Sequence, residues 1–218
     1  IYFRSLSTGW ACGSETSLYE AAIYRTTNSG VNWILQMHNA FWDLNDITFS
    51  NDSTAWSVGW SDETYKSTNT GNNWFAHSGL GGEANDIFFL NSQYGWVANG
   101  GESGSIVRTT NGGVNWNNYV HMWTGYNSVN FINQNTGWAA GYYNDPQWGV
   151  VSRTTNGGVN WAIQTYNYLQ DVKDVYFSDS ANGWIIAVTP SNQTIIFRSY
   201  TSGISWLPQT SNIPYVSK

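Results

Sequence analysis

The chain has 218 residues, a formal net charge of −6, only 10% charged residues and 14 tryptophans. Three lysines and five arginines cannot supply the basic stripe that nucleic acid requires, so no nucleic acid is expected as a partner. No stretch approaches the roughly 18 apolar residues of a membrane span, and the wealth of Asn, Thr, Ser, Gly and aromatics reads as polar-surfaced β-structure rather than helix.

From the N-terminus onward the chain returns five times to one pattern. A phenylalanine is followed seven residues later by a tryptophan, at Phe3/Trp10, Phe49/Trp56, Phe89/Trp96, Phe131/Trp138 and Phe177/Trp184. Each pair is followed by a nonapeptide: RTTNSGVNW at 25–33, KSTNTGNNW at 66–74, RTTNGGVNW at 108–116 and again at 153–161, and RSYTSGISW at 198–206. The closing tryptophans stand 41, 42, 45 and 45 residues apart. The repeats run over about 1–40, 41–80, 81–123, 124–168 and 169–218.

Each repeat divides into four short strands. In the fourth these are NSVNFI, TGWAAGY, GVVSRTT and VNWAIQT, apolar residues alternating between turn residues. Four strands in about 40–45 residues is the arithmetic of a β-propeller blade. One blade cannot bury its faces alone, so the expectation is an all-β, single-domain propeller of five four-stranded antiparallel blades.

The pattern Ser/Thr-x-Asn-x-Gly-x-x-Trp resembles the Asp-box of bacterial neuraminidase repeats. With the preceding Gly-Trp pair it is similar, over all five units, to the repeats of the photosystem II stability and assembly factor family. That resemblance implies a folding signature rather than a catalytic site. The chemistry agrees: Asn28, Asn69, Asn111 and Asn156 can bond the turn's own amides, the glycine two positions on accepts positive φ, and the tryptophan fills space between blades. The fifth copy has Thr201 in place of Asn and is expected to be the weakest turn.

Spacing also bears on closure. From each nonapeptide tryptophan to the next repeat's phenylalanine takes 16, 15, 15 and 16 residues, and from Trp206 through Lys218 to Phe3 takes 12 + 3 = 15. The termini thus meet in register for a five-bladed ring. The resembled family is better known for seven blades, so a five-repeat piece of a larger propeller is the alternative.

Loop lengths separate scaffold from candidate function. Phenylalanine to tryptophan is always seven and Arg/Lys to tryptophan always eight, whereas the second-to-third loops, measured from tryptophan to Arg/Lys, take 15, 10, 12, 15 and 14. Variable loops on a rigid frame are where binding usually lives. The four tryptophans outside both signatures, Trp42, Trp60, Trp123 and Trp148, fall in variable segments, joined by Tyr126, Tyr142 and Tyr143. They are candidate stacking platforms for a sugar or contacts for a protein, or else a cover for the apolar rim. All five Glu and seven of nine Asp map to the same side, while Arg25, Lys66, Arg108, Arg153 and Arg198 open the nonapeptides on the other. The negative face favours neutral or cationic ligands. Asp46, Asp86 and Asp174 each stand three residues before the repeat phenylalanine, where they serve strand entry or a cation site.

Sialidase chemistry needs converging arginines, and all but Arg4 are spent at one repeat position. Cys12, in register with Val58, Ala98, Ala140 and Ile186, reads as a buried small hydrophobe, and His38, His77 and His121 read as surface histidines without metal-ligand spacing. No cofactor, metal or catalytic residue is assigned. The first residue, Ile1, and the low lysine content suggest a trimmed piece of a larger secreted bacterial protein with flanking domains, extracellular or at the cell surface. The expectation is a non-enzymatic, lectin-like or protein-binding module for a glycan or protein ligand. The alternative is a glycoside hydrolase acting on a neutral polysaccharide.

Overall fold

The structure is a computed structural model in which residues 1–15, 20–38, 42–101, 104–120 and 123–209 are described. The spacing that would close the ring runs through 210–218 and lies outside the described residues, as do Glu102 and His121.

Twenty strands form five four-stranded sheets, the blades of a propeller. The first holds β1 (Tyr2–Phe3), β2 (Gly9–Glu15), β3 (Glu20–Thr26) and β4 (Ile34–His38). The second holds β5 (Leu44–Phe49), β6 (Ala55–Gly59), β7 (Thr64–Ser67) and β8 (Phe75–Ala76). The third holds β9 (Ala84–Phe89), β10 (Gly95–Asn99), β11 (Ser105–Thr109) and β12 (Asn117–Val120). The fourth holds β13 (Thr124–Phe131), β14 (Gly137–Asn144), β15 (Gln147–Thr154) and β16 (Ala162–Tyr166). The fifth holds β17 (Asp171–Phe177), β18 (Gly183–Val188), β19 (Thr194–Ser199) and β20 (Leu207–Pro208). Sequential strands are spatial neighbours in every sheet, as short turns demand. A single 3-10 turn, Trp60–Asp62, is the helical element among the described residues.

The chain divides into two compact units, one of residues 1–97 with 109–116, the other of 98–108 with 117–218. The first has a core around Trp10, Ile23, Leu44, Ile47, Phe49 and Trp74. The second has one around Trp138, Val151, Val172, Phe177, Ile185 and Trp206. The second strand of a sheet is covered on both faces, which is why AWSVG and GWVAN carry small and apolar residues without polar alternation.

The nonapeptide folds as one device in each copy. The Ser/Thr hydroxyl accepts the amide of the glycine four residues on, at 2.9–3.0 Å from Thr26, Ser67, Thr109, Thr154 and Ser199. The asparagine carbonyl oxygen accepts a later amide, as Asn115 N–H donates to Asn111 Oδ1 at 2.9 Å and Asn160 N–H to Asn156 Oδ1 at 3.0 Å. Thr201 replaces that acceptor with its own hydroxyl, which takes the Ser205 amide at 3.0 Å, so the turn expected to be the weakest keeps the equivalent bond. The glycines sit at φ between +68° and +90°, where a side chain would strain the backbone.

More than the nonapeptide tryptophans fills the space between blades. Among the Gly-Trp tryptophans, Trp10, Trp56, Trp96 and Trp138 are fully buried. Within each unit, the next repeat's turn glycine lies against the indole: Gly71 on Trp10, Gly113 on Trp56, Gly203 on Trp138. The Trp138 ring also stacks on Phe177 at 3.5 Å, and its Nε1 donates to Ser202 O at 3.0 Å. The nonapeptide tryptophans meet the phenylalanine of their own repeat edge-on, as Trp116 does Phe89 and Trp206 does Phe177, and Trp116 also meets Trp56 of the preceding repeat edge-on, as expected of a residue between blades. Cys12 is half-buried, and burial followed by the nearby Asp46 carboxyl pushes its thiol up to about 11.

Candidate functional site

Each sheet has one end holding its first-to-second and third-to-fourth turns and another holding its second-to-third loop and the link to the next sheet. The constant end is locked by local bonds. Asn51, Asn91, Asn133 and Asp179 each fold a first-to-second turn by accepting two amides, as Asn51 Oδ1 does from Ser53 at 2.9 Å and Thr54 at 2.8 Å. The basic residue opening the nonapeptide is spent on aromatic faces: Arg25 over Trp10, Lys66 over Trp56, Arg153 over Trp138 and Arg198 over Trp184, at 4.4–5.9 Å. Sequence reasoning placed these cations on the constant side but missed their partners. The strand pairing of Arg/Lys opposite tryptophan was the available signal.

The variable end of the second sheet brings Trp42 and Trp60 onto adjoining segments, since Trp60 N–H donates to Asp43 O at 3.0 Å. Both rings are half in solvent, at 50% and 45% exposure. In this repeat, whose tryptophan-to-Arg/Lys spacing is the smallest of the five, the loop from β6 to β7 turns by placing Ser61 and Asp62 at φ +57° and +63°, left-handed conformations unusual for residues with a Cβ. The Asp62 carboxylate accepts amides of Gly79, Leu80 and Gly81 at 3.3, 3.2 and 2.9 Å, tying the β8-to-β9 link beneath it. A cleft of about 310 Å³ results, walled by 61–64 on one side and 76–78 on the other. Tyr65 Oη donates to Glu63 at 3.0 Å, and burial, then that neighbouring carboxylate, pushes the phenol up to about 12. His77 is no surface histidine: it lies edge-on to Trp56 at 4.9 Å. Burial, aided by the Lys66 charge, lowers its pKa against the opposing pull of Asp62.

At the variable end of the fourth sheet, the expected long loop is instead two extended strands, β14 and β15, joined by a tight turn with a cis Asp145–Pro146 bond. Tyr143 and Trp148 are cross-strand partners there, both half-buried. Trp123 is 49% exposed beside them, its carbonyl accepting the Asn144 amide at 2.7 Å. Tyr142 is half-buried, its ring over Gly125. Tyr126, expected among the exposed aromatics, is a core residue with 0% exposure, its hydroxyl 3.1 Å from Ser152 Oγ, so it offers no platform. The register explains this: Leu44, Ala84 and Val172, also five before the repeat phenylalanine, are buried as well.

The matched acidic positions are spent on neighbouring strands. Asp46 Oδ2 accepts the Ile87 amide at 3.2 Å, and Ser128 Oγ donates to Asp174 Oδ1 at 2.7 Å. Burial first, then the charge and hydrogen bond of Asp86, pushes Asp46 up to about 8, so at neutral pH the hydrogen-bonded pair retains a proton. Among the described residues no group of three His, Cys, Asp or Glu is placed to hold a metal ion, and no helix is long and apolar enough to cross a membrane.

No model of a known protein family matches the chain, and no curated protein is similar to it in sequence. Solved structures do share its fold. YCF48 bound to D1 peptide aligns with a TM-score of 0.62 and 16% identity over 95% of this chain and 79% of that one. YCF48 from Cyanidioschyzon merolae aligns at 0.55 and 15% identity, over 98% and 89% of the two chains. The GH74 xyloglucanase from Xanthomonas campestris aligns at 0.64 and 12% identity over 83% of this chain, which spans 34% of the enzyme. At these identities the likeness is one of fold, and the fold is the propeller expected from the repeats.

Proposed function

We propose that this chain is a non-enzymatic binding propeller that takes a peptide segment of a protein partner at the variable ends of its blades. The observation that carries the reading is the division between the two ends. Asx turns and stacked cations occupy the constant end of the blades, while at the variable end of the second sheet Trp42 and Trp60 stand half-exposed beside Asp43, Asp62 and Glu63, and at that of the fourth sheet Trp123 stands half-exposed. The similar fold of YCF48 bound to D1 peptide supports a peptide as occupant. The acidic balance favours a basic one. Such a module suits an extracellular or cell-surface protein.

The GH74 fold likeness favours a second reading, hydrolysis of a neutral polysaccharide by two carboxylates of the variable ends. One panel separates the two. Basic, neutral and acidic peptides and xyloglucan are scored together for tryptophan emission shifts and for released reducing ends. Peptide binding without release is the expected result, weakened at least about tenfold by Trp42→Ala with Trp60→Ala. Unchanged affinity in that double variant would sink the aromatic contact, and reducing ends from xyloglucan would establish the hydrolase.

A further inference from the structure

The cleft between the 61–64 and 76–78 segments is lined by Thr64 and His77, and each carries a buried polar atom without a hydrogen-bond partner. Thr64 is 2% exposed and its Oγ1 is unpaired; the Nδ1 of His77 is buried and unpaired too. A buried polar group left unsatisfied is destabilising, and native proteins keep very few. Their neighbours are well provided for: Asp62 carries three amide bonds and Glu63 the Tyr65 hydroxyl. The wall is also held in an uncommon backbone conformation at Ser61 and Asp62, of the kind that collects at ligand sites.

The two unpaired atoms share a chemistry. A threonine hydroxyl oxygen accepts, and so does Nδ1 of a neutral imidazole whose proton sits on Nε2. Burial, then the Lys66 charge, lowers the His77 pKa, which favours the neutral ring and its lone pair. Two carboxylates, Asp62 and Glu63, line the cleft, and neither lysine nor arginine does; Lys66 is engaged over the Trp56 ring at 4.4 Å. Acceptors within a negative field call for a compact cation with several donors. An ammonium has three N–H donors, and an anion would be repelled.

We propose that this cleft binds a primary ammonium group, the Nζ of a lysine in the partner's peptide, through Thr64 Oγ1, His77 Nδ1 and the Glu63 carboxylate. The lysine identity rests on the peptide-binding reading above. The ammonium chemistry rests on the cleft.

The test titrates Nα-acetyl-lysine methylamide into the full chain while the His77 ring nitrogens and the Ser78 amide are followed by NMR. A saturable shift is expected with this probe and none with Nα-acetyl-norleucine methylamide, which matches its length without the charge. Glu63→Gln and Thr64→Val, the latter preserving shape while removing the acceptor, should each weaken binding about tenfold. The proposal is overturned if norleucine shifts His77 equally, if the lysine probe gives no saturable shift up to about 50 mM, or if Glu63→Gln binds as before. The probe is a single residue, so the two readings fail separately. Capture of the amine with every peptide of the panel inert sinks the peptide reading alone. Peptide binding with His77 silent sinks the ammonium site alone.

Discussion

Asp46 illustrates how one side chain couples an inter-strand contact to solution conditions. Its folded carboxyl, pushed up to about 8 by burial and by Asp86, contrasts with an ordinary value of 3.8. Between these values the unfolded chain has released the proton that the folded chain retains, so stability falls as pH rises from about 4 to about 8. Asp86 on β9 and Cys12 on β2 are the titratable groups facing it. Asp46→Asn keeps a donor for Asp86 and removes the titration, so its urea midpoint should vary less between pH 5 and pH 8 than that of the parent. Equal pH dependence would mean that Asp46 is ionised when folded. The sequence displayed this position through its fixed distance from phenylalanine, but not the proton. Tyr126 carries the opposite lesson: once only the signature residues are subtracted from the repeat, it falls among the loop aromatics. The apolar position five before phenylalanine, occupied by Leu44, Ala84 and Val172, had already marked it as core.

Among the elements, the nonapeptide turn does more than reverse the chain. At Gly71, Gly113 and Gly203 its left-handed glycine is the surface that the preceding repeat's indole packs upon. A Cβ on Gly113, at φ +80°, would fall inside the Trp56 ring. Gly113→Ala is expected to cost about 3 kcal/mol by combining left-handed strain with overpacking. Gly79→Ala, also at positive φ but with nothing within 4 Å, should cost about 1 kcal/mol, the strain alone. Denaturant unfolding of the pair measures the packing share, and equal losses would show that the turn does not support the indole. Turn chemistry was legible because it is local: a hydroxyl, an asparagine and a glycine at fixed offsets. The indole contact was not, because Gly113 and Trp56 lie 57 residues apart and no local pattern joins them.

For the molecule as a whole, charge is distributed by blade end more than by blade. Four of the five nonapeptide cations lie on indoles, leaving a net charge of −6 to be expressed by carboxylates concentrated at the variable ends. Affinity for a basic peptide should therefore drop several-fold between about 50 and 500 mM NaCl, as the screening length shrinks from above 10 Å to below 5 Å, whereas a neutral saccharide should be indifferent. Titrating both ligands at the two salt levels decides it, and a salt-insensitive peptide would mean that the carboxylates play no part in capture. The repeat count, the four-strand division and the segregation of charge could all be read from spacing. The cleft beside His77 could not, because it depends on two left-handed residues that no periodicity announces. The identity of the nonapeptides at 108–116 and 153–161 carries a consequence for descent. Units that share one fastening can be exchanged, duplicated or given new loops without renegotiating the joint. A lineage built this way can change what it recognises at one edge while the other stays under unrelenting selection.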